Sequence, residues 1–161
     1  MNDWYLIQIK SNSYKIAERN LNRQGFKTFM PLLEKTNKGR SKFTNYIKPL
    51  FPGYMFVGSE HHIDWWRKIN NTLGVSRLLS YGGEPKALPE ELISSLISRC
   101  DKFGLLIKSK TPAIGDSIML MKGAFTDLVA TIETIDEKER IWVIMELMGR
   151  HTRIQLTTEL L

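Results

Sequence analysis

The chain opens with short apolar runs punctuated by polar turns. Residues 4 to 9, WYLIQI, form a strand-length run, and the Ser-Asn-Ser that follows offers helix N-caps. Tyr14, Ala17 and Leu21 then recur at helical spacing, predicting a helix from Ser13 to Gln24 with Gly25 as its C′ residue. Phe26 to Leu33 reads as a second strand, EKTNKGRSK as a polar basic loop, and Phe43 to Lys48 leads into PLFPGYMFV, residues 49 to 57, the expected central strand. Its alternation sets Tyr54 and Phe56 on one face and Met55 and Val57 on the other, so neither face is polar. Both faces therefore require a cover, from this chain or from a partner.

Further along, DWWRKIN at 64 to 70 predicts a short helix and Val75 to Leu79 another strand, closed by the turn Tyr81-Gly82-Gly83-Glu84-Pro85. Pro89 suits the first position of a helix, with Glu90 and Glu91 at its positive end. Leu92, Ile93, Leu96, Ile97 and Cys100 form the apolar stripe of that helix. The order β-α-β-β-α-β-α describes an α+β domain with an antiparallel sheet flanked by helices, spanning residues 1–100. Periodicity is lost over residues 101–113, the expected linker. In residues 114–161 the pattern changes to short strands, Ile118 to Met121, Leu128 to Ile135, Ile141 to Leu147 and Thr152 to Leu156, separated by KGAFTD, DEKER and MGRH. So many strands in so few residues predict a small all-β barrel, since closure removes exposed edges.

Charge changes the picture in one place. The net charge is +6, from 23 Lys plus Arg against 17 Asp plus Glu, and ten of the cations but three of the acids lie in residues 1–48. On the first helix Lys15, Arg19 and Arg23 recur at i, i+4, i+8. A basic field of this kind points to an anionic partner, nucleic acid ahead of membrane, although a merely solvated face has equal standing on charge alone. No apolar run is long enough to span a bilayer, and MNDWYLIQIK has an acid where a signal peptide carries basic residues, so a cytoplasmic protein without membrane association is expected. One cysteine, Cys100, and three dispersed histidines leave no zinc-ligand spacing, and no cofactor or metal is expected. The absence of a Ser/His/Asp, paired-carboxylate or phosphate-loop constellation argues against an enzyme.

The two halves together resemble a known pair of domains. Gly115-Asp116, Gly123-Ala124-Phe125, the acidic turn Asp136 to Arg140 and Met148-Gly149-Arg150 are similar to the KOW barrel of the NusG family, with Ala124 where that pattern has Pro and Ala130 where it has Gly. WYLIQIKSNSYKIAERNL, PLFPGYMFV and INNTLGVSRLL resemble the N-terminal domain of the same family of bacterial transcription elongation factors. The short basic loop between Phe29-Met30-Pro31 and Pro49-Leu50-Phe51 brings the chain nearest to the RfaH-like antiterminators.

The resemblance implies a non-enzymatic elongation and antitermination factor, acting as a monomer, whose sheet face grips the clamp helices of RNA polymerase and suppresses pausing. The residues it points to are Tyr5, Leu50, Phe51, Pro52, Tyr54 and Phe56, with Trp65, Trp66 and Arg67 toward the opposite polymerase lobe; a purely core role for the tryptophans stands beside this. Lys10, Lys15, Arg19 and Arg23, with Asn70, Asn71 and Thr72, are the expected contacts to the non-template DNA strand. Phe125, Leu128, Leu147, Met148 and Arg150 fall where the family's barrels meet ribosomal protein S10 or the termination factor Rho. A ribosome-associated RNA-binding KOW protein is the alternative. Whether residues 114–161 form a barrel, or a helical hairpin masking the first domain as in RfaH, the sequence leaves open.

Overall fold

The computed structural model describes residues 3–60, 63–107 and 126–159. A four-stranded antiparallel sheet in the order β2-β5-β1-β6 forms its centre. The strands are β1 (Asp3–Ile9), β2 (Lys27–Phe29), β5 (Tyr54–Ser59) and β6 (Val75–Leu78). PLFPGYMFV is thus central as expected, but only from Tyr54 on; Leu50 to Gly53 make the turn that enters the strand, with Gly53 at φ 85°. Strand β1 pairs with β5 in the register Tyr5↔Val57, Leu6↔Phe56, Ile7↔Met55, and facing residues share a side of the sheet.

One side carries α1 (Tyr14–Arg23) and α2 (Trp65–Asn70) over Tyr5, Ile7, Met55 and Val57. Ala17 and Leu21 of α1 and Ile69 of α2 are fully buried there. Close approach of α1 requires glycine at Gly74: with φ +93°, an added Cβ would lie 2.7 Å from the Ala17 nitrogen. The other side carries Leu6 and Phe56, covered by α3 (Glu90–Ser98) through Leu92, Ile93 and Leu96. Ile97, expected in that stripe, is 43% exposed.

Two segments differ from the sequence expectation. The basic stretch read as a loop is mostly strand: β3 (Leu32–Lys38) and β4 (Phe43–Pro49) pair from Leu32↔Pro49 to Lys38↔Phe43 as a separate two-stranded ribbon. Cross-strand hydrogen bonding, rather than an apolar alternation, builds it. The expected linker begins with packed structure: Leu106 is buried, its N–H donates to the Leu32 carbonyl at 2.9 Å, and the Leu32 N–H donates to that of Gly104 at 2.8 Å. A small hairpin, β7 (Ser80–Tyr81) with β8 (Glu84–Pro85), occupies the predicted turn.

The larger difference lies at the C-terminal end. Where barrel strands are expected over 128–135, 141–147 and 152–156, the chain forms two successive helices, α4 (Thr126–Thr134) and α5 (Glu137–Glu159), a helical hairpin; the expected strand at 118–121 lies outside the described residues. DEKER is the N-terminus of α5 rather than a strand-joining tip. Asp136 Oδ1 accepts the N–H groups of Lys138 and Glu139, each at 3.0 Å, with Glu137 and Glu139 in the positive first turn. Val129, Ile132, Ile144 and Met148 then fall on one side of the pair and are buried against the sheet. Packing of this stripe onto an apolar face outweighs the β propensity of IWVIM.

Candidate functional site

Both covers of the doubly apolar strand are therefore present in one chain, but they differ in kind. The α1/α2 side is an ordinary domain core. On the Tyr54–Phe56 side, α3 covers only part of the face, and the α4–α5 hairpin lies over the remainder, packing with Leu6, Leu50, Phe51, Phe56, Leu79 and Leu88. Phe51 and Phe56 meet edge to face with centroids 5.5 Å apart, and Phe29 stacks on Phe56 at 6.0 Å. Half-buried Tyr54 lines the same cluster.

Polar contacts fix the position of the hairpin. Arg140 is buried, and its guanidinium donates through Nε to the Ile132 carbonyl at 2.8 Å, through Nη2 to that of Glu133 at 3.3 Å and through Nη1 to that of Leu50 at 3.2 Å. The first two bonds tie α5 to α4; the third ties the hairpin to the turn before β5. Desolvation lowers the Arg140 pKa from its ordinary value, opposed by Asp136 and Glu133. Across the α3 side, Arg99 Nη2 donates to Glu133 Oε2 at 3.0 Å and lies 2.7 Å from Oε1. Burial nevertheless raises the Glu133 pKa, against the pull of Arg99 and Arg140. Lys48 of β4 pairs with Glu137 at the start of α5.

A family model described as "Transcription termination factor nusG" matches residues 2–97. The chain belongs to the NusG family. It is 26% identical over 164 residues to the transcription termination/antitermination protein NusG of Rickettsia conorii, covering 95% of this chain and 85% of that one. The NusG of Chlamydia trachomatis is 27% identical, with 94% and 88% covered, and that of Helicobacter pylori 25% identical, with 97% and 95% covered. A solved structure described as "Domain interaction in Thermotoga maritima NusG" superposes with a TM-score of 0.41 at 19% identity over 60% of this chain and 56% of that one.

Within this NusG-family chain the expected polymerase contacts divide between the two sides of the sheet. Leu50, Phe51, Tyr54 and Phe56 come together on the hairpin-covered face, with Pro52 exposed in the turn beside them. Tyr5 does not join them: it sits on the α1/α2 side, 4% exposed, its ring 4.5 Å from that of Trp65. Burial, assisted by Asp3, pushes the Tyr5 phenol up to about 12, keeping it neutral. Leu6 occupies the place that Tyr5 was expected to take. Parity with Phe56 across β1–β5 was the missing signal, and pairing register cannot be read from one strand alone. Of the two tryptophans, Trp65 packs inward, while Trp66 is 40% exposed with the Arg67 guanidinium 5.0 Å over its ring.

The expected DNA contacts also separate. Lys10, Lys15, Arg19 and Arg23 are exposed, and Lys15 and Arg19 border an open groove of about 1210 Å³ between α1 and residues 97–104. Asn70 and Thr72 are engaged within the fold: Asn70 Oδ1 accepts the Leu78 N–H at 2.7 Å, and buried Thr72 donates to the Lys68 carbonyl at 2.6 Å and accepts from Gln24 at 2.8 Å. Asn71, by contrast, is exposed. Of the expected S10 or Rho contacts, Leu128 and Leu147 pack against the hairpin-covered cluster and Met148 is buried in it. Phe125 and the side chain of Arg150 lie outside the described residues. Among the described residues there is no group of three or more His, Cys, Asp or Glu able to hold a metal, and no helix is long and apolar enough to cross a membrane.

Proposed function

We propose that this chain is a transcription elongation and antitermination factor of the RfaH-like kind. Its Tyr54–Phe56 face grips the clamp helices of RNA polymerase, and α4–α5 occupy that face when polymerase is absent. The observation that carries this reading is the cover itself. A helical pair fills an apolar sheet face that α3 leaves partly open, and a helical pair on polymerase would offer the same kind of surface. Binding of one then requires release of the other, a population shift set by differential affinity, with no chemistry in the protein.

Once bound, the factor holds the clamp and disfavours the paused state, while Trp66 and Arg67 reach the opposite lobe and the exposed cations of α1 meet the non-template strand. Residues 1–100, 101–113 and 114–161 act as polymerase-binding domain, linker and partner-recruiting domain. After release, residues 114–161 form a KOW barrel that recruits ribosomal protein S10 or Rho. The composition of α5 supports such a second packing. IWVIM is apolar at every position, so as a helix it leaves Trp142 62% exposed, whereas a barrel strand can turn Trp142 inward together with Ile144. Tyr54→Ala tests the face: loss of binding to purified core polymerase with an unchanged fold is expected, and wild-type affinity refutes it. The same assay in the absence of RNA separates this reading from a ribosome-associated RNA-binding protein.

A further inference from the structure

The β3–β4 ribbon carries chemistry that these contacts do not use. Its strands pair over seven positions and close through residues 39–42, where the Gly39 N–H donates to the Lys42 carbonyl at 3.0 Å. Lys35, Lys38, Arg40, Lys42 and Lys48 lie along it, and Glu34 is the sole acid of residues 32–49. Lys48 is engaged by Glu137, whereas Lys38, Arg40 and Lys42 at the outer end are exposed. Phe43, 75% exposed, faces Lys38 across the ribbon; Tyr46, 44% exposed and paired with Lys35, lies on the opposite side. Like charges gathered on a two-stranded ribbon repel one another, and a polyanion relieves that repulsion.

We propose that the β3–β4 ribbon is a duplex-DNA-binding arm, separate from the α1 cations, that lays its outer end in a groove of the double helix. The major groove, about 12 Å wide, admits a two-stranded ribbon. A strand of this length spans roughly 20 Å, enough to project several residue pairs into the groove. Cations at the tip and on both sides of the ribbon reach the phosphates of both groove walls, while Phe43 offers an apolar contact to base edges. Single-stranded nucleic acid is the poorer fit: Phe43 and Tyr46 point to opposite sides, so successive bases find no shared stacking platform. The recognition is of duplex form and charge rather than of sequence.

The test uses the full chain, titrated with a labelled duplex of about 20 base pairs, two helical turns, and with the matching single strand, over a range of salt. Lys38→Gln/Arg40→Gln/Lys42→Gln should weaken duplex binding at least about tenfold and lower the salt slope by about 1 for each cation removed. Arg40→Glu alone, at the exposed tip, should act in the same direction, with unchanged circular dichroism showing that the fold is kept. In a background of Lys15→Gln/Arg19→Gln/Arg23→Gln the ribbon-dependent loss should persist. Wild-type duplex affinity and slope in the ribbon variants overturn the proposal. So does a ribbon-dependent preference for the single strand, which would mark a stacking site instead.

Discussion

Replacing Arg140 by alanine takes one guanidinium away from three carbonyls, two within the α4–α5 hairpin and one, Leu50, in the domain beneath it. A hydrogen bond from a charged donor contributes about 1.5–3 kcal/mol. Burying the charge offsets part of this, as the lowered Arg140 pKa indicates. That desolvation cost is shared with the hairpin's own contacts, so the bond crossing to Leu50 sets the scale for docking. Its loss should shift the docked-to-undocked ratio about 10- to 150-fold. Arg140→Lys should fail as well, because one ammonium cannot span three carbonyls held by a planar fork. Amide hydrogen exchange of residues 128–148 in the full chain reads the ratio directly. Protection there should fall in both variants, while amides of β1 and β5 keep theirs. Wild-type protection of α4–α5 in Arg140→Ala would refute the reasoning.

Two further outcomes follow from the same contacts. Because burial raises the Glu133 pKa above its ordinary 4.5, the docked state binds more protons than the released one in that window. Docking should therefore weaken as pH rises from 4.5 through the raised value, and Glu133→Gln should flatten this dependence in a hydrogen-exchange titration; an equally steep profile in the variant counts against it. Gly74→Ala places a Cβ 2.7 Å from the Ala17 backbone at a positive φ and should destabilise the sheet–α1 core by about 2 kcal/mol or more, measured as a lower urea midpoint.

Much of the N-terminal architecture is legible because its patterns are local. The α1 stripe ends at Gly25, whose φ of 91° suits a C′ residue, and Pro89 with Glu90 and Glu91 announces α3 within one residue of its observed start. The two-sided apolarity of Tyr54 to Val57 correctly demands two covers, because strand alternation survives into the sheet. The identity of the second cover was not legible. IWVIM suits a strand by its β-branched and aromatic residues and, with Met148, a helix by the Ile144–Met148 spacing, and contact with Leu6, Phe51 and Phe56, distant in sequence, decides between them in this structure. A local signal did exist in Asp136-x-x-Glu139, a helix-start pattern that a charged turn also satisfies. The β3–β4 ribbon is hard to read for the opposite reason: its outer half is polar, and only pairing makes it a strand. Site residues suffered likewise. Asn70 and Thr72 have side chains suited to bases, yet the fold uses both. Phe56 is wholly buried, so a charged substitution there would unfold the domain, and half-buried Tyr54 is the informative position.

The central claim is that α4–α5 and RNA polymerase compete for one face. It is tested most directly by the affinity of purified core polymerase for the full chain and for Ile144→Asp, which sets a charge at a fully buried contact of α5 and leaves the sheet untouched. The account predicts that Ile144→Asp binds polymerase more tightly than wild type, with Tyr54→Ala abolishing the binding in both backgrounds. Equal or weaker binding by a folded Ile144→Asp chain would contradict it.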